Sequence, residues 1–170
     1  MRLEIKKRLK PIVKFKDQKS EVIKMVGVLI AAHGGFADGL LSAAELLVGK
    51  QKQISTIGLY HGDSIESFEE RVLTMLSDLD DGDGVLAFVD IFGGSPSNVI
   101  VKAISAGRKI KAIDGVNMAM MVQTVIQRES STLDELCQSC YEIGCMRPAL
   151  LHEKCEEMMQ NNETDDNDDF

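Results

Sequence analysis

The stretch Met25-Val-Gly-Val-Leu-Ile-Ala-Ala-His33-Gly-Gly-Phe-Ala-Asp-Gly39 decides how this chain folds. From Val26 to Ala32 the residues are small or β-branched and apolar without alternation, the pattern of a strand buried on both faces, as in a parallel sheet. The run stops at a histidine and two glycines. Beyond them Leu40, Leu41, Ala44, Leu47 and Val48 recur at helical spacing, with Gly49 placed as a C-cap. Strand, glycine turn and helix make the front half of a βαβ unit. Open sheets built from such units gather their chemistry beyond the carboxyl ends of the strands, where His33 falls.

The same alternation repeats along the chain. Gln53 to Tyr60 reads as a second strand, ended by His61-Gly62-Asp63-Ser64 with an acid or hydroxyl to cap the next helix. Ile65, Phe68, Val72, Leu73, Leu76 and Leu79 trace one face of that helix. Asp80-Asp-Gly-Asp-Gly84 is a connecting turn, since the glycine and distal glutamate of an EF-hand loop are missing. Gly84 to Asp90 is a third buried strand, followed by Ile-Phe-Gly93-Gly94-Ser95-Pro96-Ser-Asn98. Ser95 before Pro96 predicts an N-cap followed by proline at the first helical position. Lys109 to Asp114 is a fourth strand, and Gly115-Val-Asn117 leads into a helix with Met118, Met121, Val122, Val125 and Ile126 inside. A further helix is expected over about 132–142, and Arg147-Pro-Ala-Leu-Leu151 suits a short edge strand, where proline is tolerated.

Successive βα units predict an α/β fold with a doubly wound, mostly parallel sheet in the order 2-1-3-4. In that order the first and third strands are neighbours, and the crevice opens between their ends. Those ends are His33 and Asp90.

The rest of the chain bounds the reading. Its 170 residues make one domain with tails: a basic extension over 1–24, a folded domain over 25–155 and an acidic tail over 156–170, expected to be disordered. Residues 1–24 carry nine Lys or Arg against three acids. Such a segment suits an acidic partner or lipid headgroups, but its small apolar content favours a flexible extension, as from an upstream start codon. A net charge of -8 argues against nucleic acid as the main partner. No apolar run reaches membrane-spanning length, and no secretory signal is visible. Cys137, Cys140, Cys145 and Cys155 cluster near His152. The helical context of Cys137 and Cys140 favours small half-buried side chains over a metal or redox site.

An imidazole beside a carboxylate has a specific use. The acid fixes the tautomer and orientation of the ring and stabilises positive charge when the other nitrogen is alkylated, protonated or phosphorylated. Next to this pair, Gly93, Gly94 and Ser95 open a helix whose N–H groups suit an anion. A histidine nucleophile, an orienting aspartate and an anion cradle together suit transient phosphorylation of His33. His61 also follows a strand but lies away from the crevice, and it reads as a loop residue.

Three motifs in order, Ala-His33-Gly-Gly-Phe-Ala-Asp-Gly, Val-Asp90-Ile-Phe-Gly-Gly-Ser-Pro-Ser-Asn98 and Gly115-Val-Asn117-Met, resemble the IIA domain of the mannose family of the bacterial sugar phosphotransferase system (PTS) over residues 25–152. The resemblance implies a cytoplasmic phosphotransferase with a phosphohistidine intermediate and no metal or organic cofactor. His33 would accept phosphate from the phosphocarrier HPr and donate it to a mannose-family IIB protein for sugar uptake. Asp90 would orient the ring, and Gly93, Gly94 and Ser95 would line the phosphoryl site. The family fold adds an antiparallel fifth strand exchanged in a homodimer, which Arg147 to Leu151 match in position. Membrane contact would be indirect, through the sugar permease. Many members carry an aromatic after Gly-Gly-Ser-Pro, where this chain has Ser97. A phosphorylation-dependent regulatory module and the phosphoryl donor of a dihydroxyacetone kinase are the alternatives, and the transported sugar is not legible.

Overall fold

A computed structural model describes residues 25–165, with side chains to Gln160, so the expectations for 1–24 and 166–170 lie outside the described residues. Strands β1 (Gly27–His33), β2 (Ile54–Leu59), β3 (Val85–Val89) and β4 (Ile110–Ile113) alternate with helices α1 (Phe36–Val48), α2 (Ile65–Leu79) and α3 (Ser95–Ser105). Helices α4 (Met118–Gln127), α5 (Leu133–Gly144) and α6 (Leu151–Asp165) complete the described chain. The sheet is fully parallel in the order β2-β1-β3-β4, as the alternation of elements predicts.

Both faces of the central strands are buried, and the period of two divides their side chains between separate cores. Val28, Ile30 and Ala32 of β1 and Leu86 and Phe88 of β3 pack with Ala37 and Ala44 of α1, Met120 and Met121 of α4, and Leu136 and Cys140 of α5. Leu29 and Ala31 with Val85, Ala87 and Val89 face Phe68, Val72 and Leu76 of α2 and Val99, Ile100 and Ala103 of α3. The two central strands therefore read as unbroken apolar runs because each side chain has a core to enter.

Helix starts follow local side-chain chemistry. Ser64 and Asn117 accept from the backbone N–H groups of Ser67 and Met120. At α5 a full capping box forms, with Thr132 and Glu135 each accepting from the other's backbone N–H.

The C-terminal end departs from expectation. The edge strand expected at Arg147–Leu151 does not form in this chain: residues 147–150 belong to no regular element and Leu151 opens α6. An exchanged strand pairs with a second subunit's sheet edge, and without it the segment's backbone groups have no ladder partner. The tail expected to be disordered from 156 is helical to Asp165. Leu, Glu, Lys, Met and Gln are strong helix formers, and their intrinsic preference closes the backbone bonds locally. Every α6 side chain from Leu151 to Gln160 is exposed, so packing within the described residues does not hold this part of the helix.

Candidate active site

Parallel register brings the two strand ends together. Ala31 pairs with Val89, so the ladder between β1 and β3 stops one residue short of Asp90 and two short of His33. From there Asp90 Oδ2 accepts both the backbone N–H of His33 and its ring Nδ1, each at 2.9 Å. Asp90 Oδ1 accepts the N–H of Ile91 at 3.0 Å. Burial pushes the Asp90 carboxyl up, but the bonds from the His33 backbone and ring, the nearby imidazole and the Ile91 N–H outweigh it, leaving the carboxyl below its ordinary value. Asp90 is thus a carboxylate near neutrality and accepts only. The ring nitrogen facing it must carry the hydrogen. In the neutral imidazole Nε2 then carries the lone pair, on a ring whose side chain is 46% exposed.

Nε2 faces the glycine turn. A Cβ on Gly94 would lie 2.7 Å from His33 Cε1 and 3.3 Å from Nε2, so only glycine leaves the ring in place. On the other flank the Gly34 N–H donates to the Leu59 carbonyl at 2.8 Å, and a Cβ on Gly58 would overlap the Gly34 carbonyl. A glycine on β2 and another at the start of α3 thus allow the turn after β1 to close around the histidine.

Gly93, Gly94 and Ser95 stand at the mouth of the site, with one change from the sequence-based expectation. Gly94, not Ser95, is the N-cap of α3, and Ser95 takes the first helical position ahead of Pro96. A β-region residue must precede the helix, and Gly94 already adopts φ -73° and ψ 165°. The Ser95 hydroxyl is therefore not consumed in capping. The N–H of Gly93 is engaged, donating to Ser97 Oγ at 2.9 Å. His61 lies exposed in the turn after β2, and His152 lies exposed on α6. Cys137 and Cys140 sit on α5, Cys155 on α6 and Cys145 at the end of α5, all as free thiols. Among the described residues no group of three His, Cys, Asp or Glu could hold a metal ion.

The family described as the PTS system fructose IIA component matches residues 27–140, which include every residue of this site. The chain belongs to the mannose-type PTS IIA family. A mannose-specific EIIAB component of Escherichia coli is 34% identical over 120 residues, covering 70% of this chain and 37% of that protein. A fructose-specific EIIA component of Bacillus subtilis is 28% identical over 112 residues, 66% of this chain and 77% of the relative. Among solved structures, a phosphotransferase component EIIA from Streptococcus agalactiae superposes with a TM-score of 0.64 at 30% identity, over 71% of this chain and 92% of that one.

One part of this IIA site escaped sequence reading. Phe36, Tyr60, Ile91 and Phe92 are 45%, 51%, 59% and 75% exposed, and all follow the carboxyl ends of β1, β2 or β3. These apolar side chains lie in water around a polar centre rather than scattered singly over the surface. The available signal was an aromatic or branched residue within three positions of each strand end.

Proposed function

We propose that this IIA chain is a cytoplasmic phosphoryl carrier that takes phosphate from HPr onto His33 Nε2 and passes it to a mannose-family IIB protein for sugar uptake. One observation carries the reading: Asp90 binds His33 Nδ1 at 2.9 Å and leaves Nε2 free at a glycine turn. In the forward step the Nε2 lone pair attacks phosphorus as the P–N bond of phosphorylated HPr breaks and its electron pair returns to the HPr imidazole. The Nδ1 proton stays on His33, and the resulting cationic ring is supported by the Asp90 carboxylate. The Ser95 hydroxyl and the N–H groups opening α3 suit the phosphoryl oxygens. The exposed apolar residues around the site suit a partner that docks and leaves. Transfer then needs positioning and charge stabilisation, with no metal or organic cofactor on the domain. Incubation with HPr, its kinase enzyme and labelled phosphoenolpyruvate tests the reading, and absence of label on the parent chain would refute it.

Residues 25–155 form the functional domain in this reading. A chain starting at Met25 is expected to keep its far-UV circular dichroism and accept phosphate at the parent rate. A large loss of either would assign residues 1–24 to the fold or the docking surface.

The chain is also expected to be a homodimer held partly by residues 145–151. Met146, Leu150 and Leu151 are 67%, 48% and 81% exposed in the single chain, apolar surface that suits burial against a second copy. Pairing on a second subunit would also cover an open sheet edge. Light scattering should give twice the chain mass at micromolar concentration, and a monomer mass would refute the dimer.

A further inference from the structure

Ser97 is the third residue of α3 and is 3% exposed, a buried hydroxyl beneath the turn that faces the histidine. Its Oγ accepts the N–H of Gly93 at 2.9 Å and donates to the carbonyl of Gly94 at 2.9 Å. One hydroxyl thus closes both ends of a two-glycine turn. The Asn98 backbone N–H adds a second donor to the Gly94 carbonyl at 3.0 Å, and the Asn98 side chain reaches the Gly93 carbonyl at 3.4 Å. Gly93 sits at φ 82°, a conformation that glycine adopts freely and leaves as freely. The turn therefore has little stiffness of its own, and its shape is set by what grips it.

We infer that Ser97 is a positioning residue for His33: by gripping the Gly93–Gly94 turn it holds the ring and selects which donors face Nε2. Contact passes through Gly94, whose Cα lies so close to the imidazole that a Cβ would come within 2.7 Å of Cε1. A turn released from Ser97 would press on or withdraw from the edge of the ring that carries Nε2. Selection follows from the same bond. With the Gly93 N–H committed to Ser97, the Gly94 and Ser95 N–H groups and the Ser95 hydroxyl remain available at the turn, Pro96 having no N–H. The anion site is therefore narrower than the run Gly93-Gly94-Ser95 suggests, and it is aimed by a side chain that never touches phosphate. The catalytic consequence rests on the phosphoryl-carrier reading, whereas the hold on the ring does not.

The experiment compares Ser97→Ala and Ser97→Thr in the full chain, with both variants checked by circular dichroism and melting. Rates of His33 phosphorylation are measured over a range of phosphorylated HPr concentrations, and the His33 ring and Gly93 and Gly94 amide signals are recorded by ¹⁵N NMR without phosphate. For Ser97→Ala, kcat is expected to fall about ten- to a hundredfold with KM for phosphorylated HPr little changed, as when a group orienting a functional histidine is lost. Its ring and turn signals should move. Ser97→Thr, which keeps the hydroxyl, should restore most of the rate. A parent kcat in Ser97→Ala, or equal impairment of the Ala and Thr variants, would overturn the role. If the parent chain itself takes no phosphate, the carrier reading fails and the NMR arm decides alone: unmoved His33 and Gly94 signals in Ser97→Ala refute the positioning, and moved ones uphold it.

Discussion

Replacing His33 with alanine is expected to abolish phosphorylation by HPr, while His61→Ala and His152→Ala take up label as the parent does. The chain has three histidines, so this set of variants is complete. His61 and His152 are both exposed, and neither has a hydrogen bond to a carboxylate among the described residues. His33 alone has one nitrogen bound by a mostly buried acid and the other directed at a glycine turn beside a helix start. The label should be lost in acid and survive base, as a phosphoramidate does and a phosphoserine does not. The variant should fold normally, because the ring lies at a strand end outside both cores. A folded His33→Ala chain that still accepts phosphate would refute the assignment, whichever residue proved to carry it.

How far the residues themselves announced this site differs from part to part. The strands were legible because Val26–Ala32 and Val85–Val89 are buried on both faces, which leaves no polar residue to blur the pattern. From the order 2-1-3-4 the meeting of His33 with Asp90 followed as geometry, since neighbouring parallel strands end side by side. Short-range choices were less legible. Ser95 looked like the cap, yet Gly94 fills that position, because two adjacent glycines leave the backbone free to start the helix one residue earlier. The bonds from Ser97 depend on that turn's conformation and so left no periodic trace. Arg128 follows an amphipathic helix as a surface cation would, but it is 2% exposed, with its guanidinium on the Gln53 carbonyl and the Gln51 side chain. Nothing in its spacing marks a cation that turns back onto the residues leading into β2. At α6 composition misled: acidic and Asn-rich content argued for disorder, while intrinsic helix preference closed the backbone.

Asp90→Asn is expected to slow transfer by roughly ten- to a thousandfold while His33 remains the labelled residue. Asparagine keeps the size of the side chain and one oxygen that can accept from the ring, so the fold and much of the geometry should persist. It removes the charge. During transfer the imidazole passes from neutral to cationic as Nε2 takes phosphorus, and a carboxylate 2.9 Å from Nδ1 stabilises the later state more than the earlier one. An amide stabilises the two nearly alike. Asparagine can also turn its NH₂ toward Nδ1, which would place the ring proton on Nε2 and block the attacking lone pair. The two effects are separable. Loss of charge alone leaves the proton on Nδ1, whereas a tautomer change shows in the ¹⁵N shifts of the unphosphorylated ring. Phosphoryl return from phosphorylated His33 to HPr should slow less than the forward step, or even quicken, because the cationic imidazole is what the acid favours. Equal forward rates in parent and Asp90→Asn would make Asp90 a bystander, and a label that moves away from His33 would give the acid a part beyond orientation.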